Sequence, residues 1–105
     1  MSQTQWHVDG NGDLSLAGAL DRHSVATLWP KLQAWVCRTN DANCDLGGIE
    51  RVDSAGMAFL IHLIEHAKRQ NCHIMLRFVP TQLGTLFQLS NVESLVADHI
   101  QNYQR

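Results

Sequence analysis

Ser54 is the residue of this chain best placed to do chemistry. It stands in the run Val52-Asp53-Ser54-Ala55-Gly56-Met57, where a hydroxyl follows an acidic residue at the point where an apolar pattern of helical period begins. Met57, Leu60, Ile61, Ile64 and Ala67 recur at that period, which predicts a helix from about Ser54 or Ala55 to Gln70 with one face on a core. Either Asp53 or Ser54 can cap its first turn, and Gly56 keeps side-chain bulk away from it. Free amides and the positive end of the helix dipole favour phosphate at such a place. The run therefore supports a phosphate or partner-docking site; the plainer alternative is an ordinary N-cap.

Other residue sets support less. His62 and His66 are four apart and could share a helix face, but no HExxH pattern and no close cysteine pair completes a metal site. Ser54, Asp53 and His23 are the residue types of a hydrolase triad. Adjacent Asp53 and Ser54 cannot form its relay, however, and Gly-x-Ser-x-Gly is absent. Asp21 and Asp53 are carboxylates whose separation the sequence does not fix. Gly10-Asn11-Gly12 lacks the spacing of a dinucleotide loop and reads as a turn, and there is no Walker A loop. No catalytic residue, metal or cofactor is assigned on these grounds.

With 105 residues, 45% of them hydrophobic, the chain fits one domain with one core. A formal charge of -2 offers no field for a nucleic-acid backbone. Cys37, Cys44 and Cys72 form no CxxC pair, and their odd number points to reduced cysteines in a cytoplasmic protein. Met1 to Gly12 lacks the features of a signal peptide, and no segment approaches a membrane span, so any work at a membrane requires something else to hold the protein there.

The elements that must position Ser54 follow from the pattern. Gln5 to Val8 and Asp13 to Ala17 read as two strands around a glycine turn, a hairpin at a sheet edge. Val25, Leu28, Trp29, Leu32, Trp35 and Val36 have helical spacing, with Pro30 either kinking the helix or lying in the first turn of one that begins near Trp29. Arg38 to Asn43 reads as a loop, Cys44-Asp45-Leu46 as the end of a buried strand, and Gly47-Gly48 as a turn toward Ser54. Cys72 to Val79 is the strongest strand signal. After Pro80, Thr81 to Leu89 reads as a short helix with Leu83, Leu86 and Phe87 inward and Leu89 as a further inward candidate. Val92 to Ile100 is either a terminal helix or a short strand plus helix, and Gln101 to Arg105 are expected to fray.

Gly18-Ala19-Leu20-Asp21, Asp45-Leu46-Gly47-Gly48 and Val52-Asp53-Ser54-Ala55-Gly56-Met57 together resemble the successive landmarks of a STAS domain, the fold of anti-sigma factor antagonists. The resemblance spans nearly the whole chain. It implies an α/β fold, a small mixed sheet with helices packed on one side, and it makes Ser54 the candidate phosphorylation site with Asp21 and Asp53 beside it. The stretch from Val52 to Glu65, continued by Ala67-Lys68-Arg69-Gln70, is more closely similar to the stand-alone STAS subunits of ABC-type phospholipid transporters in Gram-negative bacteria. That likeness implies a non-enzymatic cytoplasmic subunit, peripheral to the inner membrane, that supports the transporter ATPase and so maintains outer-membrane lipid asymmetry. Ser54, Ala55, Met57, Ala58, Asp53 and Asp21 become the expected partner contacts, with the outward side of Ala55, Met57 and Ala58 touching the ATPase. Ala55 stands where phosphorylated antagonists commonly carry a second hydroxyl, and Ala19 where they carry an acid. A phosphorylation-controlled anti-sigma factor antagonist is the alternative.

Overall fold

A computed structural model describes residues 5–100, so the expected fraying of Gln101 to Arg105 lies outside the described residues. Four strands form a mixed sheet in the order β1-β2-β3-β4. β1 (Gln5–Val8) pairs antiparallel with β2 (Leu14–Leu20), and β2, β3 (Asp41–Val52) and β4 (His73–Arg77) are parallel. The parallel pairs are joined by α1 (Arg22–Ala34) and α2 (Ser54–Arg69) as crossovers. α3 (Thr81–Leu89), α4 (Glu93–Val96) and a 3-10 turn (Ala97–His99) complete the chain, and Ile100 bridges to Leu76 of β4. The C-terminal stretch thus combines a short helix with one extended residue.

Alternation along the strands explains why the helices lie on one face. Leu14, Leu16, Ala42, Cys44, Leu46, Ile74 and Leu76 are buried, whereas their neighbours Ser15, Asp45 and His73 point toward solvent or are only partly covered. The hairpin turn closes on Asp9, whose Oδ1 accepts from Asn11 and Asp13 amides at 2.8 and 3.0 Å, with Gly12 at φ 87°. Two helices end on a left-handed asparagine. Asn71 (φ 58°) donates to Lys68 O and Cys72 to Ala67 O, and Asn91 (φ 56°) and Val92 repeat the pattern on Gln88 and Phe87.

Several expectations are corrected. Leu89 closes α3 on the outside, exposed to solvent, while Leu83 and Phe87 fill the core. Pro30 neither starts α1 nor restricts it to a later start: the helix begins at Arg22 and runs through Pro30, which lies on the exposed side, where water can satisfy the carbonyl its ring leaves unpaired. β3 is longer than expected. It includes Asp41 to Asn43 and continues through Gly47-Gly48 instead of turning there, because a Cβ on Gly48 would come within 2.8 Å of the Ala17 Cβ across the β2–β3 ladder. The glycines permit a close strand approach at a register shift between Ser15 and Ala17. The cysteines are not all reduced: Cys37 and Cys72 are joined by a disulfide that ties the chain leaving α1 to the turn after α2, and Cys44 alone is free, buried in the sheet. No described helix is long and apolar enough to cross a membrane.

Candidate functional site

The site is built where the C-terminal ends of β2 and β3 meet the starts of α1 and α2. Asp53 is the N-cap of α2, and its Oδ1 accepts from the Gly56 amide at 3.0 Å. The cap is therefore Asp53, and the Ser54 hydroxyl, one residue into the helix, makes no hydrogen bond with the described residues. Gly56 is required by packing: a Cβ there would lie 2.2 Å from Leu20 O and 2.8 Å from Val52 Cγ2. That contact sets the helix start directly on the end of β2, where Asp53 N also donates to Leu20 O at 3.2 Å.

Asp21 does for α1 what Asp53 does for α2. Its Oδ1 accepts from the His23 and Ser24 amides at 3.0 Å each, and the Ser24 hydroxyl accepts from the Asp21 amide at 2.9 Å, a complete capping box. Its other oxygen, Oδ2, takes the Arg51 Nη2 at 2.9 Å. The Ser24 amide foremost, then the His23 amide and the Arg51 guanidinium, hold the Asp21 carboxyl below the usual carboxylate range against the opposing effect of burial. Asp21 is thus a largely buried structural anion, while Arg51 remains 69% exposed and presents its charge to solvent.

The expected contact residues separate into two groups. Asp53, Ser54 and Ala58 are exposed and Ala55 is half-buried, so they form a continuous shoulder. Met57 does not belong to it. Its side chain turns into the core and is 8% exposed, which corrects the expectation of an outward contact. Asp21, 9% exposed, reaches the surface only through its Arg51 partner. Sequence reasoning missed Arg51 and also Gln82 of α3, whose Oε1 accepts from the Val52 amide at 3.0 Å and fixes the strand end that leads into Asp53. Neither has a local signal, since each acts across a sequence separation of 30.

Behind the shoulder, Leu60, Leu63, Ile64 and Ala67 are buried, and Phe59 fits between the rings of Trp6 and Trp29 at 6.4 and 6.3 Å. His62 stands edge-on to Trp29 at 5.2 Å and the His66 Nε2 lies 2.8 Å from Trp35 O, so the two histidines have separate packing roles. Among the described residues no group of three potential ligands could hold a metal ion.

A four-stranded mixed sheet with an exposed serine just inside the capped start of its second crossover helix is the architecture of STAS domains. The structure superposes on the anti-sigma factor antagonist SpoIIAA, with a TM-score of 0.64 for the unphosphorylated form (14% identity, 82% of each chain). For its phosphorylated form the score is 0.67 (15% identity, 93% of this chain and 88% of that one). These likenesses establish the fold. The chain belongs to the MlaB-type STAS family, whose model, described as "Mlab, STAS domain", matches residues 5–97. It is 33% identical over 93 residues to the intermembrane phospholipid transport system binding protein MlaB of Escherichia coli, covering 88% of this chain and 93% of that protein. The protein of the same name from Haemophilus influenzae is 28% identical over 102 residues, covering 90% and 97%.

Proposed function

We propose that this chain is a non-enzymatic subunit, one STAS domain over its 105 residues, that docks through the start of α2 onto the cytoplasmic ATPase of an ABC-type phospholipid transporter. In this reading an MlaF-like ATPase holds it at the inner membrane, indirectly beside the permease, and the complex maintains outer-membrane lipid asymmetry. The observation that carries the proposal is the shoulder at Ser54: exposed, built of small side chains, and free of internal duty. Asp53 caps the helix, Gly56 packs on Leu20, Met57 faces inward and Asp21 is held by α1 and Arg51. Ser54, Ala55 and Ala58 remain for a partner, and small residues let it approach the helix closely, with Asp53 and Arg51 as a charged rim.

The relatives named binding proteins of an intermembrane phospholipid transport system support placing that partner in a transporter. No cofactor, nucleic acid or direct membrane insertion enters the reading. Capture from native lysate by the folded chain, read by mass spectrometry, tests it: a cytoplasmic ABC ATPase is expected. The exposed Ser54 hydroxyl also suits a phosphorylation-controlled antagonist of an anti-sigma factor. Capture of an anti-sigma-type kinase instead of the ATPase, with a substantial phosphorylated fraction at Ser54 by intact mass, would transfer the assignment to that reading.

A further inference from the structure

A groove of about 400 Å3 lies between β1 and the chain that leaves α1, lined by Trp6, Val8, Lys31, Trp35, Val36 and Arg38. It is at the far end of α2 from Ser54: Trp35 O is held by His66 and Gln70, and His66 is about 18 Å from Ser54 along the helix at a rise of ~1.5 Å per residue. Four properties of this groove bear on what it can hold. β1 terminates the sheet, and among the described residues its outer backbone edge is unpaired. Trp6 packs toward Phe59 on the helix side, so Val8, two residues on, shares that face; Val8 is 41% exposed and Val36 across the groove 66%. Trp35 is 7% exposed, yet its buried indole N–H has no acceptor among the described residues. Lys31 and Arg38 are exposed, and no Asp or Glu lines the groove.

We infer that β1 takes an extended acidic peptide segment of a partner protein as an added strand. An extended peptide supplies backbone groups for the open edge and sends alternate side chains to the helix side, where Trp6, Val8 and Val36 cover apolar ones. Its helix-side carboxylates complement Lys31 and Arg38, the two cations that line the groove. A second copy of this chain fits less well, because pairing β1 with itself brings two cationic rims together. A fatty acid anion matches the charge and the apolar wall but leaves the strand edge unpaired.

The test uses the intact chain and a fluorescein-labelled nonapeptide in which threonine alternates with valine or glutamate, so that valines and glutamates share the helix side. Anisotropy should report binding that weakens at least tenfold in the Lys31→Glu, Arg38→Glu double variant and in Val36→Asp, all surface changes. It should also weaken with added salt, be absent for the peptide with lysine in place of glutamate, and be unchanged in Ser54→Arg. In 15N spectra the Trp35 indole resonance should move, and the alternate amides of Gln5 to Val8 that point away from β2 should gain exchange protection. Undiminished binding by the double variant, or unmoved Gln5 to Val8 amides at peptide saturation, overturns the inference. So does a dimer in analytical ultracentrifugation that Val36→Asp abolishes, or dodecanoate shifting these resonances when the peptide does not.

Discussion

Gly56 lies against the carbonyl of Leu20 so closely that a Cβ at position 56 would be 2.2 Å from that oxygen. The start of α2 is thereby seated on the end of β2, and Ser54, two residues earlier, is lifted to the surface. Gly56→Ala is expected to destabilise the protein by about 1–3 kcal/mol or more, since rigid backbone must give way, although alanine is the better helix former. Urea unfolding checks it. An unchanged or raised midpoint would mean that the seat is not tight.

The two residues at the helix start should behave differently. Asp53→Ala removes the hydrogen bond to the Gly56 amide and should cost about 0.5–2 kcal/mol, whereas Ser54→Ala removes an exposed hydroxyl with no internal partner and should stay within about 0.5 kcal/mol of the parent. Thermal and urea melts of the pair decide it. A larger loss from Ser54→Ala would make Ser54 the cap.

This division marks how far the sequence was legible. The period from Met57 to Ala67 locates α2, and Gly56 keeps its first turn clear of side-chain bulk, as its place in the sequence indicates. Which of Asp53 and Ser54 caps the helix was not decidable, because both residue types cap well. Met57 belongs to the same apolar period and is buried with it, so the period outweighs the outward contact that the family resemblance implied; α2 is also covered by the sheet on one side and α1 on another. That widens its buried face to include Phe59 and Leu63. Gly47-Gly48 carries the local signature of a turn, and only the opposing Ala17 reveals that it is a strand. The Asp21–Arg51 pair and the Cys37–Cys72 bond join residues brought together by the crossover topology, for which spacing along the chain is no guide.

Acid should weaken the fold in two stages. Burial pushes His99 below its usual range, while its Nδ1 bonds to Ile74 O at 2.8 Å and His73, Lys68 and Asp98 are the charged or titratable groups around it. A lowered folded value means that the unfolded chain binds the proton first. Stability is therefore full above about pH 6.5 and falls as the pH drops toward the folded value. Asp21, also lowered, contributes stability that is present above about pH 3.9 and lost as pH falls through its folded value. Melting temperatures from pH 8 to 3 should show both declines, and Asp21→Asn should remove part of the second. A melting temperature that rises between pH 6.5 and 5.5 would contradict the first.

Thiol titration gives a chemical check on the core. Burial raises the Cys44 thiol to about 12, so the native protein should not react with a disulfide reagent at neutral pH. Unfolded without reductant, it should expose Cys44 alone, and after reduction all 3 cysteines. Cys37→Ser should cost about 2–4 kcal/mol. Rapid modification of the native protein would contradict the burial of Cys44 or the Cys37–Cys72 bond.

The affinity of folded Ser54→Arg for the proposed ATPase partner tests the docking surface most directly. Arginine at this exposed position should leave the fold intact, with a penalty of about 0.3–1 kcal/mol from a cation at the helix N-terminus, while its bulk and charge obstruct close approach to Ala55 and Ala58. With circular dichroism and the thermal melt confirming the fold, calibrated binding should be at least tenfold weaker than for the parent, and phospholipid trafficking between the envelope membranes deficient. Parental affinity in a folded Ser54→Arg protein would contradict the placement of the ATPase on this shoulder.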